Sequence, residues 1–187
     1  MKAITKDNKS TVNDNEFKSN HGNGYQAEIL DRVEKMDNIE YVENNATHYY
    51  NGEKKMVDVE AEFKDKNYKI CIELNTSCRD DRLSGKQHHA NVTKHAIKEE
   101  GSKCLYILVC PSDDYYEGLK NNEAKKQIDE ARNNTRCINK VNEGKGVSYI
   151  DFAIKDDQLD DVIKAVHDVK SENPKYIAKR IKKQFGM

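Results

Sequence analysis

The chain has 187 residues, of which 36% are hydrophobic and 35% are charged, so it is long enough for one domain with a modest core. Its 32 lysines and arginines balance 33 aspartates and glutamates, so the overall charge does not indicate a polyanionic partner and any basic site must be local. The longest apolar run, residues 104–110, is too short to span a membrane. No apolar signal segment opens the chain, and the five cysteines include no CxxC pair, so we expect a cytoplasmic protein with reduced thiols.

The beginning of the chain is predicted to be unstructured. Residues 1–22 are rich in asparagine, lysine and serine, which is typical of a flexible N-terminal arm, and we assign residues 23–187 to a single domain. From Gly24 onward, apolar residues recur at helical spacing and predict the first helix. These residues are Tyr25, Ile29, Val33 and Met36. Residues 39–55 then predict a strand pair, or a strand and a loop, with a turn at Asn51-Gly52.

Residues 57–75 predict a β-hairpin, because successive side chains of a strand point to opposite faces. The first strand carries apolar residues on one face and Asp58, Glu60 and Glu62 on the other. A tight turn at residues 65–66 would fix the register of the two strands. The predicted pairs are Val59 with Ile72, Ala61 with Ile70, Phe63 with Tyr68, Glu62 with Lys69, and Asp58 with Glu73.

The rest of the chain alternates helices and strands. Residues 84–100 predict a helix that ends at Gly101, and residues 104–110 predict a strand buried on both faces. A polar helix, a strand, an amphipathic helix and a last helix with proline in its first turn follow, over residues 121–134, 146–154, 156–170 and 173–185. The order α, β, β, β, α, β, α, β, α, α predicts a mixed α/β domain.

The pairing of Asp58 with Glu73 is the feature that points to a function. Two carboxylates directly opposite each other on antiparallel strands repel, and the repulsion destabilises the pair. A shared proton would relieve it, and a divalent cation would do so better, because hard cations bind several carboxylate oxygens. The alternative is a solvated sheet face with alternating charges, which the pairing of Glu62 with Lys69 fits.

A helix, a hairpin carrying an Asp and then a Glu-x-x step, a second helix and a buried strand together resemble the PD-(D/E)XK nuclease superfamily, over about residues 24–111. Val57-Asp58 stands for its Pro-Asp step, and Glu73-Leu74-Asn75 stands for its Glu-x-Lys step. Within the superfamily, the chain looks most like the cleavage subunits and domains of type IIS restriction endonucleases, whose following helix carries a Gln and a His comparable to Gln87 and His95. The resemblance implies a restriction-endonuclease-like mixed sheet with an αβββαβ core flanked by helices, extended here by a C-terminal strand and helices.

The resemblance also implies an activity, the hydrolysis of phosphodiester bonds in double-stranded DNA by an endonuclease that depends on Mg²⁺, for which Mn²⁺ would substitute. The implied metal ligands are Asp58, Glu73, the backbone carbonyl of Leu74, and Glu62 or Glu28. The superfamily's lysine is absent because position 75 is Asn, and Lys69 or Lys86 would replace it. Gln87 joins these residues as a catalytic candidate.

The last helix is the candidate DNA-binding surface, because its basic residues have no acidic neighbours and could follow phosphates. These residues are Lys175, Lys179, Arg180, Lys182 and Lys183. Since no base-reading motif is present, a restriction-type enzyme of this size would need a separate recognition subunit or a second copy of itself. The alternatives are a nuclease of the same fold in repair, junction resolution or transposition, and an inactive interaction module, which Asn75 favours.

Overall fold

The computed structural model describes residues 14–76, 80–113, 115 and 124–187. Residues 1–13 of the predicted arm lie outside this part of the chain. The first helix, α1 (Asp14–Glu34), begins within the range predicted as an arm, ten residues before Gly24. In the described part of the chain, no helix is long and apolar enough to cross a membrane.

The order of the described elements is the predicted one, and it forms a mixed α/β structure. After α1 come β1 (Ile39–Tyr50), β2 (Glu53–Phe63), β3 (Lys69–Leu74), α2 (Asp80–Glu99), β4 (Cys104–Cys110), α3 (Ala124–Asn142), β5 (Phe152–Lys155), a 3-10 turn (Asp156–Gln158), α4 (Leu159–Asp168) and α5 (Pro174–Phe185). Three of the later elements differ clearly from the predicted bounds. Helix α2 begins four residues before Ser84, α3 continues eight residues beyond the predicted 121–134, and β5 is shorter than residues 146–154.

The five strands form one mixed sheet in the order β1-β2-β3-β4-β5. Strand β2 is antiparallel to both β1 and β3, whereas β4 is parallel to both β3 and β5. The predicted hairpin register is confirmed at Val59–Ile72, Ala61–Ile70 and Glu62–Lys69. The ring of Phe63 also contacts that of Tyr68, with 5.6 Å between ring centroids.

Helices cover both faces of the sheet, and each face has its own core. On one face, Leu105 and Ile107 of β4 pack with α1, α4 and α5. On the other face, Tyr106 and Leu108 pack with α2 and α3. All of β4 is buried, as its continuous apolar sequence predicts. Ile72 and Leu74, the neighbours of Glu73 on β3, belong to the first core. Glu73 therefore points to the opposite face, the α2 side, where it contacts Tyr106.

The hairpin of β1 and β2 bends over α2. Its tip is the predicted Asn51-Gly52 turn, in which both residues have positive φ angles of 49° and 78°. A third positive φ angle lies at Asn45. Near the tip of the hairpin, Nε2 of His88 on α2 lies 2.6 Å from Oε2 of Glu53. The ring of Tyr50 stacks on that of His95 with 4.8 Å between centroids. These contacts close the hairpin over the side of the sheet that carries Asp58.

The edge strand β5 is covered by a side chain. Asn142, the last residue of α3, accepts a hydrogen bond from the main-chain nitrogen of Ala153 at 2.8 Å and donates one to its carbonyl oxygen at 2.9 Å.

The cysteines differ from the expectation in one respect. Cys71, Cys104 and Cys110 are buried free thiols, but Cys137 is disulfide-bonded, so the prediction that all five are reduced is wrong.

Candidate active site

Asp58 of β2 and Glu73 of β3 come together on the α2 side of the sheet. The main-chain nitrogen of Leu74 donates a hydrogen bond to Oδ2 of Asp58 at 2.7 Å, which fixes this carboxylate beside β3. Asp58 remains 26% exposed at its side chain, whereas Glu73 is 1% exposed. The pair therefore has one carboxylate that solvent or a ligand can reach and one that is built into the core.

Lys86 of α2 compensates the two negative charges. Its Nζ atom is hydrogen-bonded to Oε1 of Glu73 and lies 3.9 Å from Oδ2 of Asp58. The structure thus balances the opposed carboxylates with a cation from the chain, a solution that the strand pattern alone did not indicate. Of the two lysines considered as replacements for the one missing at Asn75, Lys86 is the one beside both carboxylates.

Tyr106 of β4 is a site residue that the sequence did not reveal. Its hydroxyl group donates a hydrogen bond to Oε2 of Glu73 at 2.6 Å, and its side chain is fully buried. In the sequence, Tyr106 lies in a continuous apolar run, where an aromatic residue is most simply a core residue. The available signal was its phenol group, because a buried tyrosine hydroxyl usually has a hydrogen-bond partner.

Burial controls the titration of this cluster. Burial raises the pKa of the Glu73 carboxyl group, and the charge of Asp58 adds to the effect, whereas Lys86 and Tyr106 oppose it. Burial also raises the pKa of the Tyr106 phenol well above its usual value, and the charge of Glu73 contributes. Tyr106 therefore keeps its proton at neutral pH and acts as a hydrogen-bond donor.

His89, one turn after Lys86 on α2, borders the same cluster. Its Nδ1 atom lies 3.8 Å from Oε1 of Glu73 and is buried without a hydrogen-bond partner among the described residues. Burial lowers the pKa of His89, and the positive charge of Lys86 adds to this effect. The imidazole therefore favours its neutral form and does not add a second positive charge beside Lys86.

Lys69, the other candidate for the missing lysine, belongs to a separate buried cluster on the same sheet face. Its Nζ atom binds Oε1 of Glu60 at 2.6 Å, and Nε2 of His48 lies 2.7 Å from Oε2 of Glu60. Glu60 is 2% exposed and His48 is 5% exposed, so this carboxylate is paired on both sides away from solvent. Burial opposes ionisation, but the hydrogen bonds from His48 and Lys69 outweigh it and hold the pKa of Glu60 below 4.5.

The structure does not bring the remaining predicted ligands to Asp58 and Glu73. Glu62 pairs with Lys69 at 3.1 Å and is 42% exposed at its side chain. Glu28 is exposed on α1, where its charge contributes to the raised pKa of Tyr115. The amide of Gln87 binds a loop instead, since its Nε2 atom donates to the carbonyl oxygen of Gly146 at 3.2 Å and its Oε1 atom accepts from the main-chain nitrogen of Tyr149 at 3.3 Å.

The basic residues of α5 lie on the opposite side of the sheet from the carboxylates, because Ile177 and Ile181 of this helix pack into the α1 side of the core. Lys182 is partly buried and donates a hydrogen bond to the carbonyl oxygen of Asn142 at 3.2 Å. Burial lowers the pKa of Lys182. Arg180 borders a groove of about 720 Å³ between α4 and α5. The role of this helix in DNA binding stays a prediction.

The donor set bears on the expected metal ion. Within the residues that the structure describes, no group of three or more His, Cys, Asp or Glu side chains is arranged to hold a metal. Two carboxylates with hard oxygen atoms, Asp58 and Glu73, are nevertheless enough for Mg²⁺, which is usually held by one or two carboxylates together with waters and substrate phosphates. The residues present fit Mg²⁺ better than a metal that needs a complete protein cage.

Comparisons with known proteins add little to this geometry. No protein-family model matches the chain, and neither does any curated protein. Among solved structures, the chain is similar to the small subunit of the heterodimeric restriction endonuclease R.BspD6I, with a TM-score of 0.46 and 12% sequence identity over 87% of this chain and 78% of that subunit. A likeness of this extent carries no argument about activity or partners.

Proposed function

We propose that this chain is a divalent-metal-dependent endonuclease that hydrolyses phosphodiester bonds of double-stranded DNA, as a restriction-type enzyme or its cleavage subunit. One observation carries the proposal: two carboxylates on neighbouring strands, Asp58 and Glu73, share the cation of Lys86, and Asp58 stays accessible. Lys86 balances one of the two carboxylate charges, and His89 beside them favours its neutral form, so the cluster keeps surplus negative charge. The surplus negative charge is what a divalent cation requires.

Mg²⁺ would be held by Asp58 and Glu73, with the backbone carbonyl of Leu74 as a further ligand. When bound, it would lower the pKa of a bound water and offset negative charge on the phosphate. Mn²⁺ would substitute for it. Glu62 and Glu28 are not part of this proposed ligand set, since Glu62 is paired with Lys69 and Glu28 is exposed on α1.

The chain's own residues then have distinct roles. Lys86 would contact a phosphate oxygen and stabilise the negative charge that develops during cleavage. The main-chain nitrogen of Leu74 orients Asp58, and the position of Lys86 on a rigid helix keeps its ammonium group beside both carboxylates. His89, in its neutral form, borders the site without competing for its negative charge.

A second candidate is an inactive interaction module of the same fold. It is favoured by the direct contact of Lys86 with Oε1 of Glu73, which occupies an oxygen atom that the metal would use. A nuclease acting in repair, junction resolution or transposition would use the same site, so only the DNA substrate distinguishes it from a restriction-type enzyme. A separate recognition subunit or a second copy of the chain is proposed as the partner.

The experiment that tests the proposal is a calorimetric titration of the metal-free protein with Mn²⁺. We expect saturable binding at one site, lost in Asp58→Ala and in Glu73→Ala. Glu62→Ala is the matched control, because it removes a carboxylate from the same face of the same strand as Asp58 but outside the cluster. Absence of binding in the wild-type protein would contradict the nuclease proposal and favour the interaction module.

A cleavage assay then addresses the substrate. Supercoiled plasmid DNA is incubated with the protein and Mg²⁺, alone and with candidate recognition subunits. We expect cut products that require the metal and are absent with Asp58→Ala. Metal binding without cutting in any combination would separate a metal-binding module from a nuclease.

A further inference from the structure

The hydroxyl group of Tyr106 and the carboxylate of Glu73 form a buried hydrogen-bonded pair. Their hydrogen bond is 2.6 Å long, and the two residues are 0% and 1% exposed. Because solvent does not reach this pair, water cannot replace the hydroxyl group if it is removed. Oε2 of Glu73 therefore has a fixed partner, while Oε1 is the oxygen atom on the side of Lys86.

Tyr106 is itself held in place by Asp151, which precedes β5. The main-chain nitrogen of Tyr106 donates to Oδ2 of Asp151 at 2.8 Å, and the main-chain nitrogen of Asp151 donates to the carbonyl oxygen of Tyr106, also at 2.8 Å. Lys94 binds the same Oδ2 atom at 2.6 Å. Both main-chain groups of Tyr106 are thus engaged by one residue, and a lysine of α2 fixes that residue in turn.

These contacts form a closed ring that runs from Glu73 through Tyr106, Asp151 and helix α2 back to Glu73. Helix α2 supplies both ends of the ring, with Lys86 on Glu73 and Lys94 on Asp151. The two lysines are eight positions apart, which corresponds to about 12 Å along a helix. Rotation of the Glu73 carboxylate would break the bond to Tyr106, and displacement of Tyr106 would break its bonds to Asp151.

We infer that Tyr106 is a positioning residue, which holds Oε2 of Glu73 so that Oε1 is presented together with Asp58 to a divalent cation. Asp151 and Lys94 support Tyr106 in this role. The inference rests on the proposed function, since it assigns a purpose to Glu73 as a metal ligand. It adds Tyr106 of β4 to the proposed site, together with Asp151 beside the edge strand β5, which holds Tyr106 in place.

The test compares two buried tyrosines on opposite faces of the sheet. Tyr106→Phe removes the hydroxyl group that binds Glu73. Tyr68→Phe is the matched control, because the hydroxyl group of Tyr68 donates to the carbonyl oxygen of Val166 at 3.1 Å in the other core. Binding of Mn²⁺ is measured by electron paramagnetic resonance, and thermal unfolding is followed in EDTA.

We expect Tyr106→Phe to weaken Mn²⁺ binding about tenfold, as is typical when an outer hydrogen-bond partner of a metal ligand is removed, and Tyr68→Phe to leave it unchanged. Thermal unfolding in EDTA shows how much stability each variant loses, and the folded Tyr68→Phe variant shows whether a loss of stability alone lowers the affinity. If Tyr106→Phe does not fold, Asp151→Asn is the second variant, because it weakens the contact with Lys94 that supports Tyr106. It should also weaken Mn²⁺ binding.

The outcomes separate the inference from the function on which it rests. Equal Mn²⁺ affinity in the wild-type protein and Tyr106→Phe, with binding lost in Glu73→Ala, would overturn the inference and leave the proposed function intact. A similar loss of affinity in Tyr68→Phe would also overturn the inference, because the effect would then follow from stability alone. A wild-type protein that binds no Mn²⁺ would overturn both.

Discussion

Lys86 forms an ion pair with Glu73, although the two residues belong to different elements and lie 13 positions apart in the sequence. Asn75, which follows β3, offers no positive charge, and a lysine from the first half of α2 lies beside the carboxylates instead. The pair explains how two like charges on adjacent strands are tolerated in the metal-free protein. If the chain binds a metal ion as proposed, Lys86 would compete with that ion for Glu73.

Lys86→Met is expected to separate metal binding from catalysis. Removal of the positive charge leaves Asp58 and Glu73 uncompensated, so Mn²⁺ should bind at least as tightly as in the wild-type protein. Cleavage should fall by about 100-fold or more, because an electrostatic group beside the scissile phosphate is lost. Calorimetry gives the affinity, and single-turnover cleavage of labelled DNA gives the rate. If Lys86→Met cleaves DNA at the wild-type rate, Lys86 is not the catalytic lysine. If folded Lys69→Met loses cleavage, Lys69 has that role instead.

Glu60→Gln is expected to destabilise the protein strongly. The substitution leaves Lys69 and His48 without their buried charged partner, and removal of one member of a buried ion pair usually costs about 3–5 kcal/mol. Glu62→Gln is the control, because Glu62 binds the same lysine from an exposed position and surface substitutions usually change stability by about 0.5 kcal/mol or less. Urea denaturation measures both. Equal losses of unfolding free energy in the two variants would show that the buried ion pairs of Glu60 stabilise the protein no more than the exposed pair of Glu62.

The difference in unfolding free energy between the wild-type protein and each of two variants, Glu60→Gln and Glu73→Gln, should depend on pH, with opposite signs for the two. The pKa of Glu60 is lowered on folding, so its contribution is complete above about 4.5, the value when unfolded, and is lost as the pH falls through the folded pKa. The pKa of Glu73 is raised, so its ionisation opposes folding at neutral pH, and this cost disappears as the pH falls through the raised pKa. In EDTA, Glu73→Gln should therefore gain more stability over the wild-type protein at pH 7 than at pH 4. Denaturant titrations across this range measure the two trends, and parallel trends would contradict the assignment.

Replacement of Lys179 and Lys183 by alanine tests the basic face of α5. If these lysines contact phosphates, the double substitution should reduce the slope of log affinity against log salt concentration by about 2. Since α5 packs on the sheet face opposite the carboxylates, the cleavage rate at saturating DNA should not change. Fluorescence anisotropy at several salt concentrations measures the slope. An unchanged slope would assign DNA binding to another surface.

The course of the chain could be predicted from its sequence because local patterns determine it. The order of elements follows from hydrophobic periodicity, and the register of β2 and β3 follows from strand alternation and a short turn. The proximity of Asp58 and Glu73 could be predicted for the same reason, since both are neighbours across one hairpin. The start of α1 at Asp14 was missed because the preceding sequence is polar and carries no apolar stripe.

The remaining site contacts could not be predicted because they depend on tertiary packing. Tyr106 reaches Glu73 through the parallel pairing of β3 and β4, whose register no short turn fixes. His48 reaches Glu60 because the hairpin bends, which its alternating pattern does not show. Lys69 was correctly placed opposite Glu62, but the sequence could not indicate that the buried Glu60 would bind it as well.

Asn142 has a consequence for how copies of this chain can associate. By binding both main-chain groups of Ala153, it takes up the donor and the acceptor that an incoming strand would need to join the sheet at β5. Continuous β-pairing between two copies through this edge would require the end of α3 to withdraw. A second copy or another subunit would therefore dock through side chains of the helices or through β1, and the sheet would end within each subunit.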